Sequence, residues 1–347
     1  MADYDAILLV SFGGPEGMPD VMPFLENVLR GRNVPRERMI AVAKHYELFD
    51  GVSPINAQNR ELISALKQEL MSHGIALPIY WGNRNWQPLL PDTVRQMMED
   101  GRRRAIAFVT SAYSSYSSCR QYMEDIERAR AAVGNNAPRI DKLRAFYNHP
   151  GFITANAENV RAALAQIPEG RRAAAQLVFT AHSLPVSMAG QCEYEAQLQE
   201  AASLVADQLG HRRWRLVYQS RSGPPAQPWL RPDVCEYLRE LKTAGTIDVV
   251  ISPVGFVSDH MEIAFDLDTE ARALCDELGL NMVRAATAGT HPGFIQMVRE
   301  LISERIDPAA PRKSLGSRGV PVDDCQPGCC LFERREAKEE AGASHPS

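Results

Sequence analysis

The stretch QLVFTAHSLPVSM, residues 176–188, decides how the rest of the chain is read. Leu177, Val178 and Phe179 form a short apolar run of the kind found in a strand buried on both faces of a parallel sheet. The run breaks at Thr180-Ala181-His182-Ser183-Leu184-Pro185, because proline cannot continue a ladder and pushes the residue before it out of the helical region. His182 therefore stands where a strand ends and the chain turns, and in an open α/β sheet that edge is where ligands bind. Seven further strand-like runs occupy residues 6–12, 77–82, 105–110, 143–147, 215–219, 249–252 and 282–286. Between them lie amphipathic stretches long enough for helices, such as 59–73 and 156–166. Strands alternating with helices predict an α/β fold of parallel sheets joined by right-handed crossovers. Eight strands divide into two groups of four at the turn signal His149-Pro150-Gly151. The expected units are an N-terminal domain over 1–148, a C-terminal domain over 149–306 and a tail over 307–347. No strong repeat between the halves is expected.

Composition narrows the function. A chain of 347 residues with 45% hydrophobic and 23% charged residues is ordinary for a globular protein of two domains. A net charge of −5 and the absence of a basic stripe with interleaved aromatics argue against nucleic acid as a partner. The opening MADYDAILLV is acidic where a signal peptide would be basic, and no run reaches the roughly 20 apolar residues of a membrane span. Seven cysteines, an odd number and mostly scattered, argue against a disulfide framework. The expectation is a cytoplasmic monomer without an integral membrane segment.

A second strand end follows at residues 251–262, ISPVGFVSDHME, and carries His260 and Glu262. Asp266 and Glu270 come next, each four residues on, which on a helix stacks three carboxylates along one face. By spacing alone this reads either as a solvated acidic face or as a path for a hydrated cation. FTAHSLP at 179–185, PVGFVSDHMEIAFDLDTE at 253–270 and QSRSGPPAQPWLRPD at 219–233 together resemble the ferrochelatases, which insert ferrous iron into a porphyrin. LLVSFGGPEGMPDVMPFLENVLRGR near the N-terminus and GVSPINAQN at 51–59 extend the resemblance over nearly the whole chain to about residue 305.

The resemblance implies two Rossmann-like domains, each a four-stranded parallel sheet flanked by helices, facing a porphyrin cleft as in class II chelatases. It implies His182 and Glu262 as the catalytic pair that meets the ferrous iron substrate, Asp266 and Glu270 as a metal path, and His260 as a supporting residue. It also places Tyr46, Ser53, Tyr122, Arg30 with Arg32, and Phe12 against the porphyrin. Some bacterial relatives carry tyrosine where Phe12 stands, so a metal-contacting hydroxyl is lost here. Insertion requires iron to shed water and two pyrrole protons to leave, and an imidazole near its pKa can take a proton or hold iron.

The tail beyond Asp307 is broken by Pro308, Pro311, Gly316, Gly319 and Pro321, and 336–347 reads as disordered. It carries Cys325, Cys329 and Cys330, a weak metal signal alone. Some ferrochelatases hold a [2Fe–2S] cluster on three C-terminal cysteines and one interior one, and Cys119 completes that count here. Cys192, Cys235 and Cys275 are expected as buried small hydrophobes in helices. The N-terminal segment resembles actinobacterial forms, which implies coproporphyrin III as substrate. The alternatives are protoporphyrin IX, another metal, or a non-catalytic haem-binding or iron–sulfur sensor protein.

Overall fold

The computed structural model describes residues 4–31, 34–223, 226–325 and 328–331. Arg32 and the segment 336–347 therefore lie outside the described residues. The chain runs from β1 (Ala6–Ser11) through α1 (Met18–Val28), α2 (Arg36–Glu47) and α3 (Ile55–Ser72) to β2 (Ile79–Asn83). It continues through α4 (Leu90–Glu99) to β3 (Arg104–Val109), then through α5 (Gln121–Val133) to β4 (Arg139–Lys142). The second half repeats the alternation. Helices α6 (Pro150–Leu164) and α7 (Glu169–Arg172) lead to β5 (Gln176–His182), and α8 (Val186–Ala189) and α9 (Tyr194–Leu209) lead to β6 (Trp214–Gln219). Helix α10 (Val234–Thr243) leads to β7 (Asp248–Ser252), α11 (Met261–Phe265) and α12 (Arg272–Leu278) to β8 (Asn281–Arg284), and α13 (Pro292–Ile306) follows.

The strands form two four-stranded sheets ordered β2-β1-β3-β4 and β6-β5-β7-β8, so the halves are topological copies. Every pairing is parallel. The central strands are apolar because both of their faces are covered: β1 and β7 are buried at every position. Among the described residues, no helix is long and apolar enough to cross a membrane.

Seven of the eight strands overlap their expected positions, and the fourth does not. The expected run 143–147 is not a strand; β4 precedes it as Arg139-Ile140-Asp141-Lys142. A charged edge strand is a normal way to blunt a sheet edge, and it leaves little apolar signal. The apolar run instead enters the main core as coil, with Leu143, Phe146 and Tyr147 in one hydrophobic cluster. Arg144 is buried within it and paired with Glu304 at 2.7 Å.

A short repeat does join the halves. His149-Pro150-Gly151-Phe152-Ile153 opens α6 and His291-Pro292-Gly293-Phe294-Ile295 opens α13. In each, the histidine Nδ1 accepts a hydrogen bond from the glycine N–H at 3.1 Å, capping the helix. The two helices pack where the glycines meet, and a Cβ on Gly151 would lie 2.4 Å from the Gly293 carbonyl oxygen. Helix α6 packs on α9 and the second sheet, whereas α13 returns to pack on α3 and β3 of the first.

The tail has no helix or strand through Cys325, yet it is anchored. Leu315 N donates to Asn148 O at 2.8 Å, and Asn148 Nδ2 donates to the carbonyls of Leu315 and Gly319. Lys313 pairs with Glu300 at 2.7 Å, and Arg312 with Asp323 at 3.0 Å.

Candidate active site

Strands β5 and β6 end side by side, with His182 paired to Gln219 in the register. His182 Nδ1 faces the Ser183 carbonyl at 2.5 Å, which makes it the protonated nitrogen and turns Nε2 outward. Nε2 lies 3.6 Å from Glu262 Oε1, with the two side chains 31% and 45% exposed. Glu262 is placed by its own helix: His260 caps α11 by accepting the Glu262 N–H on Nδ1 at 3.2 Å. The His260 ring is in turn held edge-on by Phe256, 4.8 Å between centroids. Gln219 donates to the Glu262 carbonyl at 3.2 Å, so the end of β6 also fixes α11.

The electrostatics follow from this packing. Burial disfavours a charged His182, but the Glu262 carboxylate outweighs it and holds the imidazolium up to about 9. Burial likewise opposes ionisation of Glu262, and the His182 charge and hydrogen bond overcome it, drawing the carboxyl down to about 2. Near neutral pH the pair is therefore imidazolium and carboxylate sharing one proton between them. Burial lifts Asp266 to about 7; a hydrogen bond from Ser220 opposes the rise, and the Glu262 and Glu270 charges add to it. Ser220 reaches Asp266 from a left-handed backbone conformation, φ 63°, uncommon for a residue with a Cβ and frequent at functional sites.

The three carboxylates do not sit on a regular helix. After α11 the chain widens into a π-helical turn, Asp266–Ala271, before α12 begins. The expected four-residue stacking is thereby changed beyond Asp266, although Glu262, Asp266 and Glu270 remain electrostatic neighbours. Such turns occur disproportionately at functional sites, and a period-based reading cannot anticipate the inserted residue.

The proposed porphyrin contacts separate into groups. Tyr46, on α2, is buried, and burial and the nearby Glu262 charge both push its hydroxyl pKa up. Its neighbours include Phe24, whose ring also meets Phe12 at 6.2 Å. Phe12 is 36% exposed. Ser53 is buried where the chain passes closest to Gly14, and a Cβ there would lie 2.7 Å from its Oγ. Arg30 is exposed beyond the end of α1 and donates to Asn27 at 2.5 Å. Tyr122 is, with Ser53, the most enclosed of the expected contacts. It is a core residue of α5, buried with Val109 and Ile126 and covered by the Arg84 guanidinium 4.5 Å from its ring.

Sequence reading missed the contact that closes the two halves together. His45 of α2 stacks on Phe265 of α11 with ring centroids 3.7 Å apart. Met261 joins the cluster of Val21, Phe24, Leu25 and Tyr46 from α1 and α2. Nothing local marks His45 as the partner of a residue more than two hundred positions away. A cavity of about 350 Å³ lies elsewhere, lined by Glu195, Trp214, Arg215, Tyr218 and Arg231 along the outer edge of β6. It includes neither His182 nor Glu262, and its lining arginines are already paired with Glu240 and Glu236.

The thiols gather in the fold. A hydrogen bond shared with the Cys325 thiol draws the Cys119 pKa down and pushes that of Cys325 up; burial opposes the lowering at Cys119 and Lys142 assists it. Cys329 and Cys330 have their sulfurs 3.5 Å apart, and Arg120 donates to the Cys329 carbonyl at 3.1 Å. Cys275 is buried in the core as expected, and Cys235 is partly buried. Cys192 is not in a helix: it lies half-buried between α8 and α9, and burial pushes its thiol pKa up. Among the described residues, no group of three or more His, Cys, Asp or Glu side chains is arranged to hold a metal ion.

The fold is that of the chelatases. The solved structure titled SirB from Bacillus subtilis with Fe3+ superposes with a TM-score of 0.54 at 13% identity, covering 87% of this chain and 97% of that one. A chelatase-like multi-domain protein of Deinococcus radiodurans, DR2241, superposes at 0.53 and 14% identity over 86% of this chain and 55% of its own. Residues 4–306 match the Ferrochelatase family model. The ferrochelatase of Rhodopirellula baltica is 55% identical over 98% of this chain and 97% of its own length. The coproporphyrin III ferrochelatase of Streptomyces griseus is 49% identical over 99% and 98%. That of Nocardia farcinica is 51% identical over 96% and 98%. The chain belongs to the ferrochelatase family.

Proposed function

We propose that this chain inserts ferrous iron into coproporphyrin III, forming coprohaem in haem biosynthesis. The observation that carries the reading is the His182–Glu262 pair, 3.6 Å apart and partly exposed at the strand ends, in a chain whose relatives are named for that reaction. His182 and Glu262 receive the iron and take the two departing pyrrole protons in turn, passing each through Asp266 to solvent. The proton already held on the pair must leave as Fe2+ arrives, because a dication beside an imidazolium raises the energy of both. Asp266, pushed up to about 7, accepts and releases protons near neutral pH and leads outward toward the exposed Glu270. Tyr46, Phe12 and Ser53 are the proposed porphyrin wall, and Arg30 is the candidate partner for a propionate. The test is anaerobic turnover with ferrous iron. Coproporphyrin III is expected to be processed at least ~10-fold more efficiently than protoporphyrin IX, since each added charge-assisted contact is worth roughly 1.5–3 kcal/mol. Equal efficiency would remove the substrate assignment and leave the family standing.

Within the same proposal, Cys119, Cys325, Cys329 and Cys330 hold a [2Fe–2S] cluster. Such a centre takes four thiolates, two for each iron, and the thiols stand as two contacting pairs, Cys119 with Cys325 and Cys329 with Cys330. Cys119 and Cys325 share a proton, which lowers the pKa of Cys119 and raises that of Cys325, and metal binding would release the shared proton. When bound, the group supplies a redox-active iron centre and a covalent tie. Protein purified without oxygen should be red-brown, with two irons and two sulfides per chain as the cluster's own stoichiometry. A colourless, iron-free preparation of full activity would remove this part. The reading includes a cytoplasmic monomer; an odd count of seven scattered cysteines suits a reducing compartment.

A further inference from the structure

Residues 307–325 form no helix or strand, so some other interaction must hold this segment in place. The turn Gly316-Ser317-Arg318 wraps one carboxylate. Glu200 Oε1 accepts the Ser317 N–H at 2.9 Å, the Arg318 N–H at 3.3 Å and the Ser317 hydroxyl at 3.4 Å. Consecutive backbone N–H groups turned toward one anion make a small cradle, here filled by the protein's own glutamate. Gly316 permits the approach: its φ is +75°, and a Cβ there would lie 2.4 Å from Glu200 Oε1. Arg318 then reaches past the turn to pair with Glu193, which stands beside Cys192 and precedes α9.

We infer that Glu200, with Gly316, is a latch that positions the tail thiols at Cys119. Glu200 lies on α9 in the second half, and Asn148, which grips the turn from the other side, lies between β4 and α6. The chain between Arg318 and Cys325 spans at most about 25 Å when fully extended, so latching the turn bounds how far Cys325 can travel from the fold and raises its effective concentration at Cys119. Cys330, five residues further on, is 4% exposed in this arrangement, so its accessibility reports on the placement. The latch uses no cysteine and no metal. Its purpose rests on the cluster proposed above, while its geometry does not.

The test uses the full chain purified without oxygen, comparing the native protein with Glu200→Ala, Gly316→Ala and the conservative Glu200→Asp. Two quantities are read: loss of visible absorbance and iron to an excess chelator, and the rate at which Cys330 reacts with a bulky maleimide. Glu200→Ala and Gly316→Ala should speed both by roughly tenfold or more, the factor expected when charge-assisted hydrogen bonds are lost. Glu200→Asp should recover part of the protection. If the native protein carries no iron or sulfide, the cluster reading fails, and Cys330 labelling of the metal-free chains alone judges the latch. If native and Glu200→Ala proteins lose iron, or label Cys330, at the same rate, the latch is overturned.

Discussion

His182 and Glu262 each carry a perturbed pKa because of the other, and the perturbation has a sign that can be checked. The His182 pKa is raised, so the stability from its charge is fully present below about 6.5 and is lost as pH rises through about 9. The Glu262 pKa is lowered, so its share is present above about 4.5 and is lost as pH falls through about 2. Replacing Glu262 by Gln should therefore return the His182 titration, followed by imidazole NMR, from about 9 toward about 6.5. A His182 pKa unchanged in that variant would mean that Glu262 is not its charge partner. His182→Ala should lower iron insertion by roughly 10²–10⁴-fold, the range for a group that transfers protons at the reacting centre. Its melting temperature should change little, since the side chain is partly exposed at a strand end. A folded variant of normal turnover would make His182 structural.

At the scale of elements, the decisive contacts are a helix crossing and a buried ion pair. Gly151→Ala should cost roughly 1–3 kcal/mol, because the added methyl meets the Gly293 carbonyl oxygen at the crossing of α6 and α13. Denaturant unfolding measures it, and a loss under a few tenths of a kcal/mol would show that the helices can part without strain. Arg144→Ala should cost about 3 kcal/mol in the same measurement, because buried Glu304 is then left with Arg312 alone, 3.6 Å away. The HPGFI segments stand in the sequence at 149–153 and 291–295, but the sequence reading expected no strong repeat and took only the first as a turn. Only the packing of α6 on α13 shows why both need a capping histidine and a glycine at the contact.

At the scale of the whole molecule, stability should fall on the acid side before the carboxylates titrate. Burial, with the Arg144 charge, holds His149 down to about 4, so unfolding lets it bind a proton that the folded protein refuses. That contribution opposes folding increasingly as pH drops from about 6.5 toward about 4. Melting curves over that range should show the decline, and His149→Asn should flatten it; an equal slope in both proteins would assign the decline elsewhere. The two sheets were legible because central parallel strands are buried on both faces and must be apolar, as in β1, β5 and β7. The strand-end positions of His182 and Glu262 were legible because a proline turn and an apolar run mark them locally, while their roles came from the family resemblance. The edge strand β4 was not, since its sequence, Arg139-Ile140-Asp141-Lys142, answers to solvent and neighbouring charge as much as to the core. The π-helical turn after α11, the burial of Tyr122, the stacking of His45 on Phe265 and the anchoring of the tail by Glu200 were decided only in the tertiary structure. Periodicity records which face of an element is buried. It carries no record of which distant side chain covers that face, and these four features all depend on such a partner or on one residue inserted out of period.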